Sequence, residues 1–511
     1  MSENEKLQKA VDLAIASGYQ LKKDAFEFLT TAAVTADPTE IMSKALQKIE
    51  SLKEKPLFIG RAILEELLEE EPKIAEEITP TPQTVKMVEG KRKFQPFAKE
   101  VESAIKIIED PTDKLNTSGT IEDYLGYFRD RFKRLEKLLR QRLDVRAAAS
   151  IIDALKAPKN TRLKIICMIT EKRESERKTL LTIEDLHAST IALIPQNASE
   201  KLQKKARLLL LDQVVCLGVM KTRSNLLIVE DIILPDVAQK TPRKASVPVY
   251  AVLTSDLHVG STKFQREAFN RFILWLNGKY GNERLKEIAS HVKYVLIAGD
   301  IVDGIGVYPN QLKELAIKDI YEQYKLAAKY LEQIPDYIEV VIIPGNHDAP
   351  RKALPQPAIS KDFLTLLQES RNIYSFGNPC FLTLHDVEFL LYHGRSLDDI
   401  LSTVPGANHS NPEKAMKVLL QSRHLAPVYG EKTPLSPEEK DFLVINRVPD
   451  VFHAGHVHVL GYTNYRGILL VNSGGWQEQT DYMQRLGLTP TPGKVPVVNL
   501  QTLDVTVISF S

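Results

Sequence analysis

The sequence predicts a multidomain protein of the α/β class. With 511 residues, the chain is too long to fold around a single hydrophobic core. Stretches with helical, loop-like and strand-like patterns follow one another in separate blocks, which indicates several domains. From residue 247 onward, apolar strand-like runs alternate with helices and then give way to closely spaced strands. This order favours a C-terminal α/β sandwich in which mixed sheets pack between helices.

The first 118 residues are predicted to contain a helical module and a linker. Within residues 1–70, apolar residues recur at spacings of three and four in "LQKAVDLAIASG", "KDAFEFLTTAA" and "PTEIMSKALQKIESLK". Residues 71–118 are rich in proline and charge, as in "EEITPTPQ", and have few periodic apolar residues. We therefore interpret residues 71–118 as a linker that is partly disordered.

Residues 119–245 are predicted to form an OB-fold domain with a leading amphipathic helix. The helix covers residues 121–143, and its arginines and lysines lie opposite an aromatic and leucine face. We favour a solvated basic face over a nucleic-acid contact. Between residues 162 and 237 the order is three strand-like runs, a helix and two further strand-like runs, as in an OB-fold. The basic hairpin "EKRESERK" either contacts phosphate or is solvated, and we favour the latter.

Composition excludes several classes of protein. The net charge of +1 gives no sign of a protein that binds nucleic acid or a membrane surface through its overall charge. We find no signal peptide and no apolar run long enough to span a membrane, and we expect a cytoplasmic protein. Cys167, Cys216 and Cys380 lie far apart in apolar runs, which predicts buried thiols and no disulfide framework.

Polar clusters follow five of the strand-like runs between residues 246 and 511. In chain order they are "SDLH", "AGDIVDG", "PGNHDAPR", "YHGRS" and "HAGHVH". Each cluster alone has an ordinary explanation as a turn, a helix N-cap or a loop. Ligands of open α/β sheets bind beyond the carboxyl ends of strands, so we expect the five clusters to converge. His456 and His458 are the strongest pair, because alternate residues of an extended segment point to the same side.

The residue types in these clusters suit a site with two metal ions. Aspartate, asparagine and neutral imidazole bind divalent ions such as Mn, Fe, Zn or Ni, with Mg a further candidate. Two such ions about 3.5–4 Å apart can bind the oxygens of a phosphate and activate a water molecule. Hydrolysis of a phosphate ester is the reaction that this arrangement supports best.

The five motifs resemble those of the calcineurin-like metallophosphoesterase superfamily. The resemblance implies a four-layer α/β sandwich and two metal ions. By the resemblance, Asp256, His258 and His458 would hold one ion. Asn346, His393 and His456 would hold the other, with Asp300 as the bridge between them. His347 would contact the scissile phosphate as the proton donor or as a stabiliser of charge.

Five further residues near these motifs are candidates for supporting roles. Asp348 closes the "GNHD" motif, and we expect it to orient His347. Arg351 and Arg395 either clamp phosphate or lie in surface turns. His453 is offset from His456 by an odd number, so we expect it to face away and to play a structural or supporting role. Asp303 departs from the DNA-repair nucleases of the superfamily, which have a histidine there, and is either a support for a ligand or a turn residue.

The whole chain resembles the small subunits of archaeal family D DNA polymerases. The stretches that carry this resemblance are "GTIEDYLGYFRDRFKRLEKLLRQR", "SDLHVGS", "AGDIVDG" and "IPGNHD". It implies a 3′–5′ proofreading exonuclease that works beside a large catalytic polymerase subunit on the 3′ end of a DNA primer, with manganese as the favoured ion. The N-terminal helices are a further candidate contact for replication proteins. Two alternatives are a free-standing metal-dependent nuclease or phosphoesterase and a non-catalytic assembly subunit.

Overall fold

The computed structural model describes most of the chain. The described residues are 3–17, 19–32, 38–51, 58–60, 64, 77–78, 94–175, 178–222, 226–485 and 487–511. They belong to two compact units. The first contains residues 1–74, 238–242 and 463–468, and the second contains residues 75–237, 243–462 and 469–511. Among the described residues, no helix has the length and apolar character needed to cross a membrane.

The N-terminal residues form helices around a small apolar core. Helices α1 (Glu3–Ala16), α2 (Lys23–Ala32) and α3 (Pro38–Ser51) correspond to the three helical runs of the sequence. Strands β1 (Gln20–Leu21) and β2 (Phe58–Ile59) pair in parallel, although the sequence pattern there predicts only helix. The side chains of Ala10, Leu29, Met42 and Ile49 are buried among others in this core. The module therefore has its own hydrophobic centre.

Two strands lie inside the segment predicted to be a linker. They are β3 (Glu77–Ile78) and β4 (Ile105–Glu109). Each joins a sheet whose other strands come from the C-terminal half of the chain. A pattern as short as "IKIIE" does not reveal a strand by itself, because its partner is far away in the sequence. Residues 94–118 are thus part of the folded structure, while residues 79–93 lie outside the described residues.

A closed five-stranded barrel follows two helices. The helices are α4 (Ile121–Arg140) and α5 (Ile151–Lys156). The barrel consists of β5 (Arg162–Ser175), β6 (Lys178–Glu184), β7 (Ser189–Pro195), β8 (Val214–Lys221) and β9 (Leu227–Ile233). Its strand order is β5-β6-β7-β9-β8, and α6 (Glu200–Arg207) connects β7 to β8. The predicted barrel, with a helix between its third and fourth strands, is therefore confirmed.

The C-terminal region alternates strands and helices. In chain order these are β10 (Tyr250–Thr254), α7 (Arg266–Leu276), α8 (Glu283–His291), β11 (Val292–Ala298), α9 (Ile320–Leu331), β12 (Glu339–Ile343), α10 (Lys361–Leu367), β13 (Ile373–Ser375), β14 (Cys380–Leu384), β15 (Val387–Leu391), α11 (Leu397–Thr403), α12 (Pro412–Ser422), β16 (Val451–Ala454), β17 (Gly461–Tyr465), β18 (Ile468–Asn472), α13 (Asp481–Arg485), β19 (Lys494–Asn499) and β20 (Val505–Ser509).

These strands form two mixed sheets, as the sequence predicts. One has the order β13-β12-β11-β10-β19-β20-β3, and the other has the order β17-β18-β16-β15-β14-β4. Leu253 and Leu296 of the first sheet share a buried core with Leu382 and Phe389 of the second. The opposite face of the first sheet packs against α7, α8 and α9. Helix, sheet and sheet thus form three successive layers, and the fourth predicted layer stays a prediction.

Helix α4 connects the barrel to the C-terminal region through a buried ion pair. The Nε of Arg131 lies 2.8 Å from Oδ2 of Asp441, and the two side chains are 1% and 0% exposed. The Nε2–H of His424 donates to the same oxygen. Burial opposes the ionisation of Asp441, but His424 and the Arg131 guanidinium hold its pKa well below the ordinary value. On the other side, Phe132 and further residues of α4 pack against the barrel.

This contact corrects the expectation that the basic face of α4 is solvated. Arg129 and Lys133 are exposed, but Arg131 is fully buried and Arg134 is half-buried. The sequence places four cations along the helix without distinguishing them, because the carboxylate that selects Arg131 is far away at position 441. Part of this positive charge therefore holds two parts of the chain together.

We expect the Arg131→Met variant to lower the free energy of unfolding by about 3–5 kcal/mol, because the substitution leaves Asp441 buried without its partner. Urea denaturation is the measurement, with Arg129→Met as the exposed control on the same helix, expected to change stability by less than about 0.5 kcal/mol. The pKa of Asp441 is lowered by folding. Its contribution is therefore present above the unfolded pKa of about 3.9 and lost as pH falls below it. Equal effects of the two variants would contradict this prediction.

Candidate metal centre

The site lies where strands of both sheets end. Strands β10, β11 and β12 are parallel, so their carboxyl ends share one edge of the first sheet. Strands β15 and β16 are parallel in the second sheet. Each of the five predicted polar clusters follows one of these strands. The structure brings together all of the predicted ligands, which are Asp256, His258, Asp300, Asn346, His393, His456 and His458.

The backbone turns sharply at the site. Five of the seven ligand candidates have positive φ, namely Asp256 (52°), His258 (51°), Asp300 (54°), His456 (70°) and His458 (58°). A left-handed conformation costs a residue with a side chain about 1–3 kcal/mol and persists only where surrounding contacts enforce it. At Gly345, a Cβ atom would lie 2.1 Å from Oδ1 of Asp300, so only glycine allows this approach. Strain of this kind concentrates at functional sites.

The first donor cluster contains Asp256, His258 and His458. The Nε2 atoms of the two histidines are 3.0 Å apart, and Nε2 of His458 lies 3.4 Å from Oδ1 of Asp256. This Oδ1 is buried and has no hydrogen-bond partner among the described residues. A buried carboxylate oxygen without a donor is costly, unless a cation binds it. Two imidazole nitrogens and one carboxylate oxygen fit a divalent transition-metal ion.

The second donor cluster contains Asn346, His393 and His456. Nε2 of His393 lies 3.0 Å from Oδ1 of Asn346 and 3.4 Å from Oδ2 of Asp300. The same Oδ2 lies 3.7 Å from Nε2 of His258. Asp300 is therefore situated between the two clusters, as a bridging ligand must be. The ring of His456 bonds to Asp398 through Nε2, which leaves its Nδ1 for a ligand role.

Contacts behind the ligands orient their rings. Nδ1 of His258 lies 2.8 Å from Oδ1 of Asp303. Nδ1–H of His393 donates to the carbonyl oxygen of Ala298 at 2.8 Å. In both rings this directs Nε2 toward the cluster, and such partners fix the tautomer and raise the basicity of a ligand histidine. Of the two roles that the sequence leaves open for Asp303, the structure shows the support of a ligand.

Asp348 has a different role from the expected one. Its carboxylate accepts hydrogen bonds from the backbone N–H groups of residues 300–302 and of Gly345, at 2.8–3.3 Å. The ring of His347 instead donates to the carbonyl oxygen of Asp303 at 2.6 Å. The expectation that Asp348 orients His347 is therefore wrong, because its side chain points back into the loop after β11. Burial and the neighbouring Asp300 carboxylate raise the pKa of Asp348 to about 6.

His347 lies beside the first cluster. Its ring makes an edge contact with His258 at a centroid distance of 4.6 Å, and its backbone N–H donates to Oδ1 of Asp300. The side chain is 12% exposed, so it can meet a molecule from solvent. Burial lowers the pKa of His347 to about 4, and the His258 ring contributes to this shift. Because Nδ1 donates to Asp303, Nε2 is the ring atom left to contact a substrate.

The two arginines differ in their contacts. Arg351 donates to Oε1 of Glu438 at 2.7 Å and to the carbonyl oxygen of Pro355. Its charge is therefore already paired with a buried carboxylate. Arg395 is half-buried, and its Nε has no hydrogen-bond partner among the described residues. Of the two, Arg395 is the better candidate for binding phosphate.

A chain of hydroxyl groups connects His453 to the first cluster. Nε2–H of His453 donates to Oγ of Ser473 at 3.1 Å, and Ser473 lies 2.7 Å from Oγ of Ser255. The hydroxyl of Ser255 then donates to Oδ2 of Asp256. Sequence reasoning missed both serines, although Ser473 follows the end of β18 as the other clusters follow their strands. His453 thus supports Asp256 from behind.

A family model identifies the class of the protein. The model, which describes the B-type subunits of DNA polymerases alpha and epsilon, matches residues 251–459. This range contains every ligand candidate, His347 and the strands that position them. The class indicated by fold and site together is therefore a B-type subunit of a DNA polymerase.

Sequence relatives identify the family within this class. DNA polymerase II small subunit of Archaeoglobus fulgidus is 37% identical over 94% of this chain and 94% of its own length. The protein of that name from Methanothermobacter thermautotrophicus is 38% identical over 91% and 92%. Among solved structures, an archaeal phosphodiesterase aligns with 51% of this chain and 99% of its own, with 15% identity and a TM-score of 0.26. This chain belongs to the family of archaeal DNA polymerase II small subunits.

We expect Asp300→Asn to weaken metal binding at both positions by at least about 10-fold, because the variant removes the charge shared by the two clusters. Asp256→Asn should weaken only one position. Inductively coupled plasma mass spectrometry after equilibration with limiting manganese measures this as about two ions per wild-type chain. Asp362→Asn, an exposed aspartate on α10, is the control and should retain both ions. Retention of two tightly bound ions by Asp300→Asn would refute the bridging position.

Proposed function

We propose that this chain is a two-metal 3′–5′ exonuclease that removes nucleotides from the end of a DNA primer. The observation that carries the proposal is the pair of donor clusters joined by Asp300 and flanked by His347. In this proposal, Asp256, His258 and His458 hold one cation. Asn346, His393 and His456 hold the other, with Asp300 bridging. When bound, the two cations would neutralise the phosphate and supply an activated water molecule. Manganese is the favoured ion, with Fe, Zn, Ni or Mg as the other candidates.

His347 is the proton donor in this proposal. Its ring is held by the Asp303 carbonyl and its backbone by Asp300, so Nε2 has a fixed position beside the clusters. The ring is neutral at pH 7 in the protein alone, since its pKa is lowered to about 4. A phosphodiester beside Nε2 favours the imidazolium, because an opposite charge at short range raises the pKa of a histidine. The imidazolium can then donate its proton to the leaving 3′ oxygen.

The proposal includes a partner and a domain organisation. The relatives are named small subunits, so the partner is a large catalytic polymerase subunit that presents the primer 3′ end. The strand order of the barrel supports an OB-fold within residues 119–245, ahead of an exonuclease domain at 246–511. The linker would cover 71–118, and the helices of residues 1–70 would contact other replication proteins.

We expect His347→Ala to reduce degradation of a mismatched primer 3′ end by about 10²–10⁴-fold, because it removes the proton donor. Metal content should stay near that of the wild type, since His347 is outside the proposed ligand set. The measurement pairs single-turnover nuclease assays in manganese with metal analysis. His187→Ala, an exposed histidine of the barrel domain, is the matched control.

The same assays separate this proposal from its alternatives. Efficient hydrolysis of small phosphomonoesters without a preference for unpaired 3′ ends would indicate a free-standing phosphoesterase. Absence of any metal-dependent hydrolysis in the wild type would indicate a non-catalytic assembly subunit. Loss of metal and fold in His347→Ala would show that His347 has a structural role.

A further inference from the structure

Two tyrosines form an exposed aromatic surface beside His347. The rings of Tyr308 and Tyr482 stack with a centroid distance of 5.8 Å and an interplanar angle of 29°. The ring of Tyr308 in turn lies 6.1 Å from the ring of His347. Tyr482 is 53% exposed, although large aromatic side chains usually bury more of their surface. We call this pair the tyrosine platform.

We propose that the tyrosine platform stacks against unpaired bases at the 3′ end of a DNA strand whose scissile phosphodiester lies at His347. This inference rests on the proposed function and assigns to it the residues that select the state of the substrate. Aromatic rings bind bases of any sequence, because every base has a π face. A paired base is already stacked in the duplex and is not available to the platform. The platform therefore favours frayed or mismatched ends over paired ones.

One carboxylate holds the two halves of the platform together. The hydroxyl of Tyr308 donates to Oε2 of Glu314 at 2.6 Å. The other oxygen of Glu314 accepts from the backbone N–H of Asp481, at the start of the helix that carries Tyr482, at 3.2 Å. The tyrosines come from segments far apart in sequence, yet they share this anchor. A platform that is fixed in advance loses less entropy when a base stacks on it.

The loop that carries Tyr308 is also anchored to the catalytic region. Gln311 accepts from the backbone N–H of Val307 and donates to the carbonyl oxygen of Asp303, at 2.9 and 2.7 Å. That carbonyl is also the acceptor for the His347 ring. At Gly304 a Cβ atom would lie 2.2 Å from the carbonyl oxygen of His347, so the loop packs directly on the His347 backbone. The position of the platform relative to His347 is thereby fixed.

The remaining exposed side chains of this loop suit bases better than phosphates. Ile305 and Leu312 are 42% and 54% exposed, and neither carries charge. Together with Tyr482 they present apolar surface close to a strongly polar centre. Phosphate groups would gain nothing from this surface, whereas the faces of unpaired bases would be removed from water there. The chemical class that fits is therefore a single-stranded nucleic acid with its bases splayed out.

The test measures binding without hydrolysis. Each platform variant is prepared in the full chain with His347→Ala, and a 5′-labelled single-stranded DNA is titrated by fluorescence anisotropy in manganese. We expect Tyr482→Ala, and more so Tyr308→Ala with Tyr482→Ala, to weaken binding by about 5- to 100-fold for each stacked base lost. Tyr482→Phe should bind as tightly as the parent, because it retains the ring. Tyr321→Ala, which removes an exposed tyrosine stacked on Phe363, is the matched control and should have no effect.

A second DNA shows whether the loss depends on bases. Its last three nucleotides are abasic, so the phosphates remain but nothing can stack. We expect the parent to bind it more weakly than ordinary DNA and the alanine variants to cause no further loss. Unchanged binding of ordinary DNA by the alanine variants, or equal loss on both DNAs, would overturn the proposal.

The outcome is independent of catalysis. If the wild-type chain does not hydrolyse DNA but the base-dependent loss of binding is found, the exonuclease proposal fails and the platform stands. If hydrolysis is found and depends on His347, but the tyrosine variants bind normally, the platform fails alone.

Discussion

The buried carboxylates Asp256 and Asp300 are the constraint on which the rest of this protein depends. They are 0% and 1% exposed, and the cost of burying an ionised carboxylate is several kcal/mol unless a partner compensates it. Although burial opposes protonation, Asp256 and Asp303 raise the pKa of His258 to about 10, and Asp300 raises that of His393 to about 9. Imidazolium protons and divalent cations can compensate the same two carboxylates. They therefore compete, and metal binding must release protons.

The fold supplies this convergence at a cost in backbone conformation. Loops from two separate sheets have to turn inward over one point, which explains why positive φ angles are concentrated among the ligands. The carboxylate of Asp348 stabilises the most crowded of these turns by accepting four backbone N–H bonds. The shared core between the sheets then fixes the two loop sets against each other. Rigidity at the site thus arises from packing far larger than the site itself.

The sequence predicts the ligand candidates far better than the contacts behind them. Each ligand is in a short motif directly after an apolar strand, so local pattern and sheet geometry suffice to locate it. The pairs Arg131–Asp441, His453–Ser473 and Tyr308–Tyr482 join residues that no local pattern relates, and β4 finds its partner strand in the distant C-terminal half. Asp348 shows the limit most clearly. Its neighbour in sequence is His347, but the direction of its side chain depends on the loop after β11, which only tertiary structure reveals.

Asp303 explains how this site differs from the DNA-repair nucleases that it resembles, in which a histidine near the substrate occupies the corresponding position. Asp303 is 0% exposed, so its side chain has no access to DNA. Its carboxylate instead orients His258, and its carbonyl oxygen accepts from both His347 and Gln311. One residue therefore connects a metal ligand, the candidate proton donor and the loop of the tyrosine platform. Because a histidine could not provide this carboxylate contact to His258, substrate handling has to come from the exposed residues that Asp303 holds in place.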